Sequence, residues 1–499
     1  MILPIFWPSD NPCLISEVIE GLKKLPDKSI HCIVTSPPYW GVRDYGTATW
    51  EGGNPECNHK KNHFGSNPSE KQLSNHGSEG NARIIYNDIC GKCGAIRIDN
   101  QLGLEETPQL YVQNLVKVFH EIWRILRDDG IVWLNLGDCY AGNRENSTKS
   151  SNAICGNTII DCCVKFNKVS EGFKPKDRIG IPHRVIFALQ DEGWYWRDEI
   201  VWNKPNAMPE SVNDRTTKSH EFIFSLTKYN KYYYDHVAIM EPAEYDGRKK
   251  TTNNGSIKFK NGTYLPNEKK NTMHENSHER WQKNDNGNFV RNKRSVWSIN
   301  TKSFKGSHFA TFPPELPELC IKAGTSEKGC CPKCGNPWER IIVKEHIGSS
   351  EKRGAYKVGN SDKSQGNVYN IPHKIATKQY LGWKPNCNCY NIEIIEDPPK
   401  KPLEENKYET WKNDMTNWYI KFELLNKIYE TLETNPCIVL DPFAGSGTTI
   451  NVAEKLGRIG LGIDLNPSLN IHYRNRKAGK DVSKVMSLDT FLNSNEGSE

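Results

Sequence analysis

The 499-residue chain lacks any run of about eighteen apolar residues, the length a membrane-spanning helix needs. Its opening stretch, MILPIFWPSDN, lacks the charged start and small-residue cleavage site of a secretory signal, so a cytoplasmic protein is expected. Charge of one sign is barely in excess. The 66 basic and 60 acidic residues leave a formal +6, too little to establish a nucleic-acid partner from net charge alone. The phosphate loop G-x-x-x-x-G-K-[ST] is missing, and the dinucleotide pattern G-x-G-x-x-G fails because position 450 is Ile. Nucleoside triphosphates and nicotinamide are therefore poor candidates, and no nuclease constellation is present. Cysteine, by contrast, is plentiful. Sixteen of them are out of place in a reducing compartment unless many bind metal.

Two regions read as α/β layers separated by polar, Gly- and Asn-rich material. In the first, IHCIVTS is a strand, and residues 108–128 carry Leu115, Phe119, Ile122 and Leu126 at helical spacing. Gly130 stops that helix, and IVWLNLG (131–137) follows as a buried strand. A helix over 182–193 and strands over 194–204 and 221–229 come next. In the second region, residues 436–467 read strand, glycine turn, helix, strand, one βαβ unit that implies a parallel sheet. Residues 143–175, 246–306 and 340–380 show little periodicity and read as loops or small inserted modules.

The first strand ends in an unusual way. In CIVTSPPYW (32–40) it runs straight into two prolines, which cannot donate to a ladder and push the preceding residue out of the helical region. Ser36-Pro37-Pro38 is thus a stiff extended bracket at the sheet edge, followed by Tyr39 and Trp40. In the second region, Asp441-Pro442-Phe443-Ala444-Gly445-Ser446-Gly447 lies between an apolar strand and a helix. Glycines there let a ligand approach the backbone, and a helix N-terminus favours a negative group. Asp464, ending the next strand, is placed to accept hydrogen bonds from ribose hydroxyls, as in a nucleoside site.

DPFAGSGTT followed by GIDLNP resembles the cofactor motif of amino-group DNA methyltransferases that use S-adenosylmethionine, and TSPPYW resembles their catalytic motif. With the catalytic half first, the order is similar to the permuted β group of that family. The resemblance continues through LGLEETPQLYVQNL, WLNLGDCYAG, KPKDRIGIPHRV, KPNAMPES, KRSVW and HFATFPPEL. It implies a Rossmann-like, doubly wound α/β sheet with permuted motif order. It also implies a base flipped out of double-stranded DNA, with the Ser36 hydroxyl and Pro37 carbonyl accepting from its amino group, Pro38 stiffening the bracket and Tyr39 stacking on the ring. Trp40 either assists the stacking or packs against the sheet. Ser in the first position resembles the cytosine-N4 form, with adenine-N6 as the alternative. Cytosine-C5 chemistry needs a cysteine nucleophile, and the Pro12-Cys13 and Pro436-Cys437 pairs lack the neighbours of that motif.

For the cofactor the resemblance implies Asp441, Pro442, Phe443, Gly445, Gly447, Asp464 and Asn466, with Phe443 touching the methionine part. His308, Phe312 and Pro313 resemble a segment that closes over it. Asp10 stands where a Gly-Asp pair is common in the family, although Ser9 replaces the glycine.

Two cysteine sets have metal-ligand spacing. Cys57 and His59 precede Cys90-x-x-Cys93, with His63 able to replace His59. Cys331-x-x-Cys334 precedes Cys387-x-Cys389, with Cys330 a competitor for Cys331. Each offers four N or S ligands suited to closed structural zinc, in stretches too poor in apolar residues to build cores of their own. Residues 246–305 carry fourteen Lys or Arg against five Asp or Glu, which fits a DNA-tracking, base-reading segment.

The expected divisions are 1–50 and 101–245 for the catalytic half, and 51–100 and 326–392 for zinc-ribbon-like insertions. Residues 246–306 are assigned to target recognition, 307–325 to cofactor closure, 393–482 to the cofactor half and 483–499 to a tail. The expected activity is site-specific methylation of cytosine N4, by a bacterial or phage enzyme that is nucleoid-associated and stands alone or beside a cognate restriction endonuclease without a stable complex. A zinc-stapled DNA-binding protein without turnover is the rival from another class, and RNA or a protein amide is a third possible acceptor.

Overall fold

The computed structural model describes residues 17–41, 49–57, 101–141, 172–242, 289–302, 312–348, 374–399 and 405–465, together with short pieces at 13–15, 62–63, 84–85, 89–90, 92–98, 154–155, 158–159 and 282–283. Two compact units emerge. One comprises 1–234, 294–327 and 436–499, the other 235–293 and 328–435.

The first unit is built on eight strands: β1 (Cys13–Ile15), β2 (Ile30–Thr35), β3 (Leu126–Leu136), β4 (Tyr195–Asn203), β5 (His220–Thr227), β6 (Val296–Ser298), β7 (Ile438–Asp441) and β8 (Ile459–Asp464). Its helices are α1 (Val18–Lys23), α2 (Pro108–Ile125), α3 (Ile181–Asp191), α4 (Glu315–Gly324) and α5 (Thr448–Lys455). The strands form one sheet in the order β1-β8-β7-β2-β3-β5-β4-β6. All run parallel except β5, which is antiparallel to both its neighbours.

Both faces of this sheet are covered, which explains why β2 and β7 are buried at every position rather than alternating. On one face, α2 starts at Pro108, whose missing N–H costs nothing at a first turn, and the Thr107 hydroxyl accepts from Leu110 N at 3.2 Å. Tyr111, Leu115, Val118, Phe119 and Ile122 then bury one stripe, joining Leu22 of α1, Val185 of α3, and Ile33, Val132 and Leu134 of the sheet. The opposite face receives α4. At its last residue, Gly324, a Cβ would come within 2.7 Å of Ile131 Cγ2 and 2.8 Å of Cys32 Sγ, so only glycine allows this approach.

The sequence placed the helix over 108–128 and the next strand from 131. The structure ends α2 at Ile125 and starts β3 at Leu126, which pairs with Ile30 ahead of a register shift. The polar run 127–129 is strand, held by Arg127 Nε on Asp129 Oδ1 at 2.8 Å and Lys28 Nζ on Asp128 Oδ2 at 2.7 Å. Val296–Ser298, inside the expected recognition segment, is instead the sheet's edge strand β6, parallel to β4. Residues 246–281, 284–288 and 303–306 of that segment lie outside the described residues.

The second unit holds a long antiparallel hairpin, Glu339–Gly348 against Lys374–Lys384, and a 24-residue helix, Tyr408–Thr431. Trp338, Ile341, Val343 and Ile395 pack with Met415, Trp418, Phe422, Leu425 and Tyr429 of that helix. This unit therefore has an aromatic core, contrary to the expectation that the second cysteine set lacked one. The helix, read with the cofactor half as part of 393–482, belongs to this unit because its buried stripe faces the hairpin's tryptophan and aliphatics. Among the described residues no helix is long and apolar enough to cross a membrane.

Candidate active site and cysteine clusters

β2 and β7 lie side by side and parallel, with Val439 opposite Cys32 and Leu440 opposite Ile33. From β7 the chain goes through α5 to β8 on one side; from β2 it goes through α2 to β3 on the other. The connections leaving these two carboxyl ends run to opposite sides of the sheet, a switch point of the kind where open α/β sheets take ligands. At it lie both motifs singled out above, TSPPYW from β2 and DPFAGSG from β7.

Asp441 joins them. Its carboxylate, 2 % exposed, accepts from Thr35 Oγ1 at 2.7 Å, Thr449 Oγ1 at 2.8 Å and Phe443 N at 3.1 Å. Burial pushes its pKa up to about 6 in spite of the two threonine hydroxyls. Asp441 thus spends its oxygens on shaping the turn and tying it to β2. Beyond it, Pro442 is buried, Phe443 packs on the main core, and Ala444 N bonds Ile463 O at 3.0 Å. Gly445 has φ +51° and Gly447 φ +71°, left-handed values that disfavour other residues, and Gly447 opens α5. The Asp464 carboxylate accepts from Gly445 N at 2.9 Å, which fixes it beside the turn. A Cβ on Gly445 would point into open space, its nearest neighbour Phe443 O at 3.9 Å. A bare backbone facing such space fits a nucleoside laid against it.

On the β2 side, Ser36 and Tyr39 are half-buried and Pro37 is buried. The Pro38 carbonyl accepts from Tyr111 Oη at 3.0 Å, while none of the described residues donates to the Pro37 carbonyl. Trp40 is core, with Nε1 on Glu105 O at 2.9 Å, which settles its two readings in favour of packing. Tyr39 lies against Gly137, where a Cβ would come within 2.5 Å of its Cε2. Its hydroxyl meets Glu221 Oε2 at 2.9 Å, Asn135 Oδ1 at 3.0 Å and Ser36 Oγ at 3.3 Å. Glu221 in turn pairs with Lys204. Burial raises the Tyr39 phenol well above its ordinary pKa, with the Glu221 charge adding to the shift. For Glu221, burial works upward but the Lys204 ammonium prevails and holds the carboxyl below its usual range. The sequence reading missed Asn135, Lys204 and Glu221. The available signal was a polar residue inside or opening an otherwise apolar strand, IVWLNL and EFIFSL.

Phe312 is half-buried and Pro313 buried, its carbonyl accepting from Leu316 N at 3.0 Å at the start of α4. Asp10, His308 and Asn466 lie outside the described residues, as do His59 and the side chain of His63.

Both cysteine sets converge. The sulfurs of Cys331, Cys334, Cys387 and Cys389 lie within 4.8 Å of one another, as do those of Cys57, Cys90 and Cys93, and Cys57 Sγ is 3.9 Å from Cys90 Sγ. Tetrahedral zinc with bonds of about 2.3 Å sets its sulfurs about 3.8 Å apart. None of the seven is joined in a disulfide among the described residues. The two C-x-x-C-G turns also share one backbone pattern: Cys90 N bonds Ala95 O and Gly94 N bonds Cys90 O, just as Cys331 N bonds Asn336 O and Gly335 N bonds Cys331 O. Gly94 and Gly335 carry φ of +72° and +73°. In the second set, Lys333 Nζ reaches Cys389 O at 3.0 Å, drawing its two halves together.

Comparison with known proteins agrees with this arrangement. Over 312 residues, 62% of this chain and 71% of the relative, the sequence is 38% identical to the Type II methyltransferase M.XycI of Xanthomonas campestris pv. cyanopsidis. It is 33% identical over 316 residues, 63% of the chain and 76% of the relative, to the Type II methyltransferase M.SmaI of Serratia marcescens. The solved PvuII DNA methyltransferase (cytosine-N4-specific) aligns over 96% of this chain and 93% of its own at TM-score 0.40 and 12% identity, too slight a likeness to carry weight. The family model described as DNA methylase matches residues 30–331 and 343–470. With that match spanning most of its length and taking in both strand-end motifs, the chain belongs to the N6/N4 DNA methylase family, the amino-group DNA methyltransferases.

Proposed function

We propose that this methyltransferase acts on the exocyclic N4 of cytosine within a short double-stranded DNA sequence, as the modification activity of a Type II restriction–modification system. One observation carries the reading: the Thr35 Oγ1 to Asp441 Oδ1 bond fastens the end of the Ser36 bracket to the start of the glycine turn. Phe443, Gly445, Gly447 and Asp464 would hold S-adenosylmethionine, with Asp441 shaping their turn. Asp10, His308, Phe312, Pro313 and Asn466 complete the proposed cofactor set. When bound, that group supplies an electrophilic sulfonium methyl.

The chain's own residues then position and polarise. An aromatic amino nitrogen is a poor nucleophile because its lone pair is spread into the ring. Acceptors aimed at its N–H bonds draw density back onto nitrogen, and Ser36 Oγ and the Pro37 carbonyl are such acceptors in a stiff frame. The flipped base stacks on Tyr39, whose hydroxyl tether to Glu221 and Asn135 fixes the ring. Ser36, resembling the cytosine form, favours N4 over adenine N6. We assign structural zinc to Cys331, Cys334, Cys387 and Cys389, and to Cys57, Cys90 and Cys93 with His59 or His63, and DNA reading to the basic segment within 246–306.

Mass spectrometry of nucleosides from mixed-sequence DNA incubated with the protein and S-adenosylmethionine tests the reading. N4-methylcytosine is expected. N6-methyladenine would overturn the base assignment and keep the mechanism, whereas no methylated nucleoside would overturn the proposed reaction.

A further inference from the structure

The proposed role of Ser36 requires its oxygen to accept, and a serine hydroxyl can equally donate. The surroundings of Tyr39 decide which. Its hydroxyl faces two acceptors on one side: Glu221 Oε2 at 2.9 Å and Asn135 Oδ1 at 3.0 Å. The Asn135 amide nitrogen is already committed to Phe222 O at 3.0 Å, so its oxygen is the atom turned to Tyr39. An ionised carboxylate accepts only, and Lys204 on the other Glu221 oxygen favours that state. The phenol proton is therefore committed to the Glu221–Asn135 side. Tyr39 oxygen can then only accept from Ser36 Oγ, 3.3 Å away. With its single proton turned inward, Ser36 presents lone pairs outward.

We propose that Glu221, neutralised by Lys204 and acting through Tyr39, sets the direction of the Ser36 hydroxyl so that Ser36 accepts from the target amino group rather than donating to it. Glu221 and Lys204, from β5 and the residue after β4, are positioning residues: they act through Tyr39. The inference rests on the acceptor reading of Ser36 given above. It assigns a task to a largely buried charged pair beside the Tyr39 hydroxyl, where burying charge needs a reason.

Glu221→Gln is the diagnostic change. The new amide can donate to Tyr39 oxygen, which leaves Asn135 Oδ1 as the one acceptor holding the phenol proton; that proton then turns toward Ser36 far more often, and the serine proton toward the base. Single-turnover methylation should slow about tenfold to a hundredfold, with cofactor affinity unchanged. A merely structural role would give a similar loss, so the deciding measurement is the cycle with Ser36→Ala. With no hydroxyl left to orient, Glu221→Gln should cost nothing further in that background. Tyr39→Phe, which keeps the ring and breaks the relay, should likewise slow transfer and show no added loss on Glu221→Gln, a control should the glutamine variant fold poorly. Multiplicative losses in these cycles, or full turnover by Glu221→Gln in an active wild-type background, would overturn the inference alone. Full turnover by Ser36→Ala would instead remove the acceptor role beneath it.

Discussion

Asp441 illustrates how much one residue can decide. It is a buried carboxylate with no cation beside it among its bonded partners, held only by two threonine hydroxyls and a backbone N–H. Hydrogen bonds to the ionised form offset part of the burial cost, yet the pKa still rises to about 6 from an ordinary 3.8. The sign of the pH effect follows. Between about pH 4 and 6 the unfolded chain has lost this proton and the folded chain has not, so the group's stability contribution falls as pH rises through that window and is level above it. Asp441→Asn keeps the shape and removes the titration. The difference in melting temperature, wild type minus variant, should therefore decline from pH 4 to 6 and stay flat from 6 to 8. A difference that rises across that window would mean that the carboxylate is stabilised by a cation instead. At this scale the sequence placed TSPPYW and DPFAGSG at strand ends, where the structure also has them, because each motif is contiguous. It could not show that Asp441 meets Thr35, 406 positions away, or that Glu221 meets the Tyr39 hydroxyl, 182 positions away.

Among the elements, the turn between β7 and α5 depends most on having no side chains. Gly445 is left-handed, which costs another L-residue about 1–2 kcal/mol, and a β-branched one most. Nothing within 3.9 Å would clash with an added Cβ, so the protein itself tolerates bulk there. Gly445→Val should thus leave a folded protein with slightly lower melting temperature but abolish S-adenosylmethionine binding in calorimetry. Gly445→Asn, better suited to φ +51°, should fold as the wild type does and bind weakly. Normal affinity in the valine variant would place the nucleoside elsewhere. Elements with a clean signal were legible: α2 has a Thr cap, a first-turn proline and a regular apolar stripe. The start of β3 was not, because Arg127 and Asp128 read as the end of the helix ahead of Gly130 until Lys28 and the Arg127–Asp129 pair account for their place in the strand. The helix Tyr408–Thr431 was missed for a related reason. Exposed Ile420, Leu424 and Ile428 lie on its other side and blur the stripe that Met415, Trp418, Phe422, Leu425 and Tyr429 bury.

At the scale of the whole molecule, a chain that supplies a sheet unit from three segments must thread a second unit in between, and the second unit needs its own means of holding together. Its aromatic core joins the hairpin to the long helix. Cys387 and Cys389 lie beyond that core, between the hairpin and Ile395, and meet Cys331 and Cys334 from the segment just before the hairpin. A metal there would close the hairpin's base, adding to exposed hydrogen bonds such as Asn336 Nδ2 to Asn386 O at 3.0 Å. With that core, the proposed zinc would be a staple on a packed unit rather than its sole organiser, and that changes what removal should do. Elemental analysis of the purified protein should give about two zinc per chain. Cys334→Ser should lose about one of them and lower the melting temperature without unfolding the chain, unlike a zinc finger whose apo form has no fold. Because Cys334 and the cofactor turn belong to different units, S-adenosylmethionine affinity should be unchanged in that variant. A zinc content unaltered by Cys334→Ser would show that the four sulfurs converge without binding the ion. Complete unfolding would show that the aromatic core cannot hold the unit unaided, and that the metal organises it after all.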